Sequence, residues 1–249
     1  MSSRGFPRTE PTRRTERCAS LASDYAVPYT LRNDLSFCQV DGRLIFLDIR
    51  DDRYFRLPEG LERSFIAHAN GNGNADIGDL VERNILVPAP GRQDRVAAVN
   101  VESASRSAIE QFCPAKLHLS SLVEVFMAVC TIRRQLKTRP LKEVIDAATT
   151  LKSDGFPHRG ENYDSTNEQL LIEASSEFRL ARAYTPVETR CLLDSLAMIR
   201  FLARRELHAS IVFGVTSDPF SAHCWVQTGH LVLNDTVGHA NAHTPIRVV

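Results

Sequence analysis

Apolar positions run along the chain in two rhythms. From Leu35 to Leu57 they form short β-type runs: Leu35–Val40, Leu44–Ile49 and Tyr54–Leu57. Asp41-Gly42 between the first two is a tight-hairpin signal, and Asp51-Asp52 turns the chain into the third. Pro58-Glu59-Gly60 breaks the β pattern. Helices are predicted over Leu61–Ala69 and Ile77–Arg83, separated by a glycine-asparagine loop at 70–74 and followed by Ile85-Leu86-Val87. Three strands followed by short helices predict a winged-helix-like module over residues 25–90.

Residues 91–112 are polar and serine-containing and read as a linker. The second rhythm then begins. Leu117–Leu136 is predicted as a core helix, with further helices over Leu141–Leu151 and Glu168–Tyr184 and a loop at 155–160 between them. Thr185-Pro186-Val187-Glu188 fits a capping box, and Thr189 is an alternative cap for a helix with Cys191 in its first turn. Behind Cys191, Leu192, Leu196, Ile199 and Ala203 share one helical face. Strands then follow at Ile211–Val215, around His223, and at Leu231–Asn234, with turns at Ser217-Asp218-Pro219 and Thr228-Gly229-His230. Helices followed by a compact antiparallel sheet predict an α+β domain over 113–249.

This arrangement brings chemistry into view. A thiol at a helix start, an imidazole on one strand and a carboxylate after the next are the parts of a Cys-His-Asp site: Cys191, His223 and Asp235. A helix N-terminus and a nearby imidazolium both favour the thiolate, which is the nucleophile. Strand alternation puts His223, Trp225 and Gln227 on one face and the rival nucleophile Cys224 on the other, with Val226. The second hairpin brings Asp235 or Asn234 back towards His223 to orient the ring. His239 and His243 have a metal-like spacing, but Asn241, Thr244 and Pro245 argue against a regular helix there, so they read as loop residues and no metal site is expected.

Composition narrows the classes. The chain has 249 residues, 43% hydrophobic and 24% charged, as in globular proteins. Thirty basic residues balance thirty acidic ones, so no charge argument favours a nucleic-acid or membrane partner. The helix from Asp76 is acidic, which disfavours DNA binding by the first module. Six scattered cysteines without a CxxC, and an arginine-rich start without an apolar stretch, point to reduced thiols and a cytoplasmic protein with a disordered tail over 1–24 or an over-extended start. With neither a Walker A motif nor GxGxxG, no nucleotide site is expected.

The C-terminal stretch resembles the leader peptidases of lasso peptide biosynthesis, the B proteins of the transglutaminase-like superfamily. The likeness rests on Arg190-Cys191-Leu192, Ser195-Leu196-Ala197, Arg204-Arg205, Phe213-Gly214-Val215, Pro219-Phe220, Ala222-His223, Trp225-Val226 and Asn234-Asp235. It implies a papain/transglutaminase-like cysteine peptidase, with Cys191 as nucleophile, His223 as base and then acid, and Asp235 orienting it. The first module resembles PqqD-type recognition elements, through Phe46-Leu47-Asp48, Tyr54-Phe55-Arg56-Leu57 and the helix from Asp76. That likeness implies capture of a precursor's leader by strand addition at Tyr54, Phe55, Arg56 and Leu57, beside Ile77, Leu80 and Val81. The expected partners are the lasso precursor and an asparagine-synthetase-like cyclase, through which the family's link to ATP would act. A transglutaminase-like acyltransferase and a non-catalytic peptide chaperone are the alternatives.

Overall fold

The computed structural model describes residues 28–72, 75–89, 96–111, 116–153 and 165–249. The expected tail and the loop at 155–160 lie outside these residues, as do parts of the 70–74 loop and of the 91–112 linker.

The N-terminal part begins with β1 (Tyr29–Leu31) and an antiparallel meander of β2 (Leu35–Val40), β3 (Arg43–Asp48) and β4 (Arg53–Phe55). Asp41 and Gly42 both have positive φ, as the tight turn requires. α1 (Glu59–Ala69) and α2 (Gly78–Glu82) follow, and β5 (Leu86–Pro88) returns to pair with β1. Sequence reading missed β1, because three residues are too few to show a period.

Alternation along β3 gives the meander two buried faces. Leu44 and Phe46 join Phe37, Phe65 and Leu80 in a local core, where Phe65 meets Phe37 and Phe46 edge-on at 5.0 and 5.1 Å. Ile45, Leu47 and Ile49, with Cys38 from β2, enter the larger core built by the C-terminal elements. The two parts are therefore joined through a continuous apolar layer.

In the C-terminal part, β6 (Arg106–Ser107) lies within the stretch read as a linker and precedes three helices: α3 (Leu119–Thr138), α4 (Leu141–Ser153) and α5 (Ser165–Arg182). α3 buries Val125, Ala128, Val129 and Ile132 but leaves Leu119, Val123, Phe126 and Met127 exposed, so only one side of this apolar helix is core. α6 (Cys191–Ala203) comes next, then β7 (Ser210–Ser217), β8 (Phe220–Thr228), β9 (Leu231–Val232), α7 (Val237–Asn241) and β10 (Thr244–Val248). The sheet order is β10-β7-β8-β9-β6, with β6 parallel to β9 and the other pairs antiparallel.

α6 departs from the one-faced helix expected. Leu193, Leu196, Ala197, Met198, Ile199, Phe201 and Leu202 are all buried, because α3, α4 and α5 pack around it while the sheet covers its remaining side. Each fully buried large side chain stabilises the fold by about 1.5–3 kcal/mol, so the element that begins at Cys191 is firmly anchored. The sheet's opposite face carries a smaller cluster of Val212, Trp225, Val232 and Ala240. No helix among the described residues is long and apolar enough to cross a membrane.

Candidate active site

Cys191 is the first residue of α6 and is exposed. Neither Thr185 nor Thr189 caps the helix: Arg190 holds the cap position with an extended backbone and makes no side-chain cap. The turn before it is held from α5 instead. Arg182 Nε pairs with Asp194 at 2.7 Å, and its Nη atoms donate to the carbonyls of Thr185 and Glu188. This buried arginine fixes the loop that presents Cys191. Sequence reading missed it, since its partners span a turn whose path is set by packing.

His223 lies on β8, opposite Gly214 of β7. Its ring stacks on Trp225 at 6.0 Å, so the two share a face, and Gln227 is hydrogen-bonded to the Trp225 indole on that side. Cys224 and Val226 face the larger core, as alternation requires. The β8–β9 hairpin brings Asp235 back, and its Oδ2 accepts a hydrogen bond from His223 Nε2 at 2.6 Å. The Asp-or-Asn alternative resolves here. Asn234 Oδ1 accepts from the Val226 N–H at 2.7 Å and its amide donates to Ser195, so it ties the hairpin to α6. Ser107 of β6 donates to the Asp235 carbonyl at 2.6 Å.

The charges follow from this packing. Hydrogen bonds from Cys224 and His223, the Cys224 backbone N–H and the His223 charge outweigh burial and bring the Cys191 thiol down to about 4. Burial would lower His223, but its hydrogen bonds to Asp235 and Cys191 and their charges prevail and raise it to about 9. Asp235 is also partly buried, yet His223, the Thr236 N–H and His239 hold its carboxyl below the usual carboxylate range. Contact with the Cys191 thiolate, and then burial, push Cys224 well above the ordinary thiol value, so it stays protonated. Near neutral pH the site is a thiolate–imidazolium pair with a carboxylate behind the imidazolium, the charge state of an activated cysteine nucleophile.

His239 is a residue that sequence reading placed in a loop. It sits in α7, capped by Thr236, whose Oγ1 accepts the His239 N–H at 3.2 Å. This corrects the expectation that no helix forms there, since a five-residue turn ends before Thr244 and Pro245. His239 Nδ1 donates to Asp235 at 2.9 Å, and its ring is 4.4 Å from that of His223. One nitrogen from each of these histidines and one Asp235 oxygen lie within 4.8 Å of one another, a donor set suited to a divalent transition metal. Both histidine rings also hydrogen-bond to Asp235, so an ion would compete with these bonds for the same donors.

The seven residues expected to hold a leader peptide divide by burial. Leu57 and Leu80 belong to the local core, while Ile77, Val81 and Phe55 pack partly against it. Arg56 is exposed. Tyr54 points the other way, against the larger core, and meets Phe220 edge-on at 5.6 Å. β4 forms the outer strand of its sheet.

Comparison with known proteins agrees with the C-terminal half of this picture. A 73-residue stretch is 33% identical to the microcin J25-processing protein McjB of Escherichia coli, covering 29% of this chain and only 35% of that relative's length. No solved structure matches the chain. Residues 127–248, from within α3 to the end of β10, match the family described as the transglutaminase-like superfamily.

Proposed function

We propose that this protein is a cysteine peptidase that cleaves the leader from a lasso peptide precursor before ring closure. The observation that carries this reading is the exposed Cys191 at the start of a buried helix, paired with His223, which Asp235 holds from behind. The Cys191 sulfur attacks the carbonyl at the leader–core junction, while the positive end of α6 favours the negative charge. The His223 imidazolium gives its proton to the departing core amine, leaving the leader as a thioester. Neutral His223 then takes a proton from water, whose oxygen attacks the thioester. Release of the leader carboxylate restores the ion pair.

The N-terminal part supports leader capture. β4 offers an outer strand edge, and an extended peptide can add to it by main-chain hydrogen bonds. Beside that edge, Phe55, Arg56, Ile77 and Val81 supply side-chain selectivity, over a floor of Leu57 and Leu80. In this reading the module is a PqqD-like recognition element. The freed core amine passes to an asparagine-synthetase-like cyclase, which uses ATP to join it to an acidic side chain.

The test is to incubate the protein with the precursor encoded beside it, with and without the cyclase, and follow leader release by mass spectrometry. Wild type should release the leader, Cys191→Ala should not, and Cys224→Ala should. Crosslinked product instead of free leader would indicate acyl transfer to an amine. Cleavage surviving Cys191→Ala would remove Cys191 as the nucleophile.

A further inference from the structure

The face of β8 that carries Cys224 leads away from the catalytic thiol into solvent. Phe220, Ala222 and Cys224 alternate onto this side of the strand. Cys224 is buried and its thiol meets Cys191, whereas Ala222 is exposed and Phe220 is 53% exposed. An open, apolar strip therefore runs from the nucleophile along the outer half of β8. A residue from the other end of the chain closes its side: Tyr54, whose ring edge meets Phe220.

β4 serves both parts of the molecule through opposite faces. Phe55 turns inward and stacks on Phe46 at 5.3 Å, in the local core. Tyr54 turns the other way, onto the larger core and against Phe220 of β8. Burial is the first cause that raises the Tyr54 hydroxyl, and negative charge at Cys191 adds to it, so it stays a neutral donor. Neighbouring strands lie about 4.8 Å apart, so a peptide added to the edge of β4 passes alongside Tyr54 as it nears Cys191.

We propose that Tyr54 and Phe220 form the wall of a subsite beside Cys191, which takes an apolar side chain from one of the last two leader residues before the cut. This rests on the leader-peptidase reading above. A leader-side occupant follows from the strand: the edge that would hold the leader and the wall of the subsite belong to the same three residues, Arg53–Phe55. Docking of the N-terminal part does not depend on this contact. Ile45, Leu47 and Ile49 supply apolar burial, Lys142 pairs with Asp34 at 3.1 Å, and Arg247 donates to the Asn33 carbonyl.

The experiment uses the full chain and a panel of precursors carrying Ala, Leu, Phe or Glu at each of the last two leader positions. The ratio of kcat/KM between Leu and Glu precursors is the readout, so it does not depend on the absolute rate of any variant. Wild type should favour Leu over Glu at one position by roughly tenfold or more, the scale of discrimination by an apolar pocket. Tyr54→Ala and Phe220→Ala should erase most of that ratio. Phe220→Arg, at an exposed position that tolerates substitution, should reverse it towards Glu. A Leu/Glu ratio unchanged in all three folded variants would overturn the subsite. Absence of cleavage by wild type on every precursor would instead overturn the peptidase reading on which the subsite rests.

Discussion

Replacing Asp235 by Asn removes the charge behind His223 while keeping an oxygen to accept its hydrogen bond. The rise of His223 from 6.5 to about 9 corresponds to about 3 kcal/mol of preference for the imidazolium. Both side chains are mostly buried, at 17% and 13% exposed, so water screens little of it. Asp235 is the foremost of the groups that raise His223; assigning it about half or more of that preference moves the imidazolium down by about 1–1.5 pH units. The sign is opposite at the thiol. Cys191 is low partly because it faces a charged ring, so a weaker imidazolium raises it. For wild type, kcat/KM should rise as Cys191 ionises near 4 and fall as His223 loses its proton near 9. In the variant both limbs move inward, and the maximum falls about 10²–10⁴-fold, because the amide does not hold the imidazolium or its tautomer. The assay is leader release from a labelled precursor between pH 3.5 and 10. Thiolate absorbance near 240 nm, read over the same range, needs no substrate. An alkaline limb still near 9 in a folded Asp235→Asn protein would refute the coupling.

Three further outcomes follow from the same geometry. Cys224→Ala removes the foremost group that lowers Cys191, so its thiolate absorbance should titrate at higher pH while cleavage persists; an unshifted titration would exclude that contact. A Cβ on Gly214 would lie 2.8 Å from the Trp225 ring and 2.9 Å from His243 Cβ, so Gly214→Ala should destabilise by about 1–3 kcal/mol and shift the ring on which His223 stacks. Chemical denaturation gives the first, and an unchanged midpoint would show that the strand yields. Zn²⁺ should inhibit reversibly by taking the donors of His223, Asp235 and His239, with recovery on chelation. His239→Ala should weaken Zn²⁺ binding measured calorimetrically in a Cys191→Ser background, and equal affinity would move the inhibitory site elsewhere.

Local pattern carried much of this molecule. The turn at Asp41-Gly42, the bounds of β2, the faces of β8 and the order Cys191, His223, Asp235 are properties of nearby residues, because side-chain alternation and turn chemistry act over a few positions. Tertiary structure decided what depends on contacts across the chain. Arg182 reaches Asp194 and two carbonyls only once α5 and α6 have packed. His239 meets Asp235 because a short capped turn forms against the sheet, a matter of packing rather than propensity. α6 is buried on all sides because three helices and a sheet converge on it, whereas its sequence shows one apolar face most clearly. Tyr54 meets Phe220 through the docking of β3, whose alternation marks two buried faces but not the surface that covers the second. Periodicity sets which side of an element is apolar, and only the folded chain sets which residues stand opposite it.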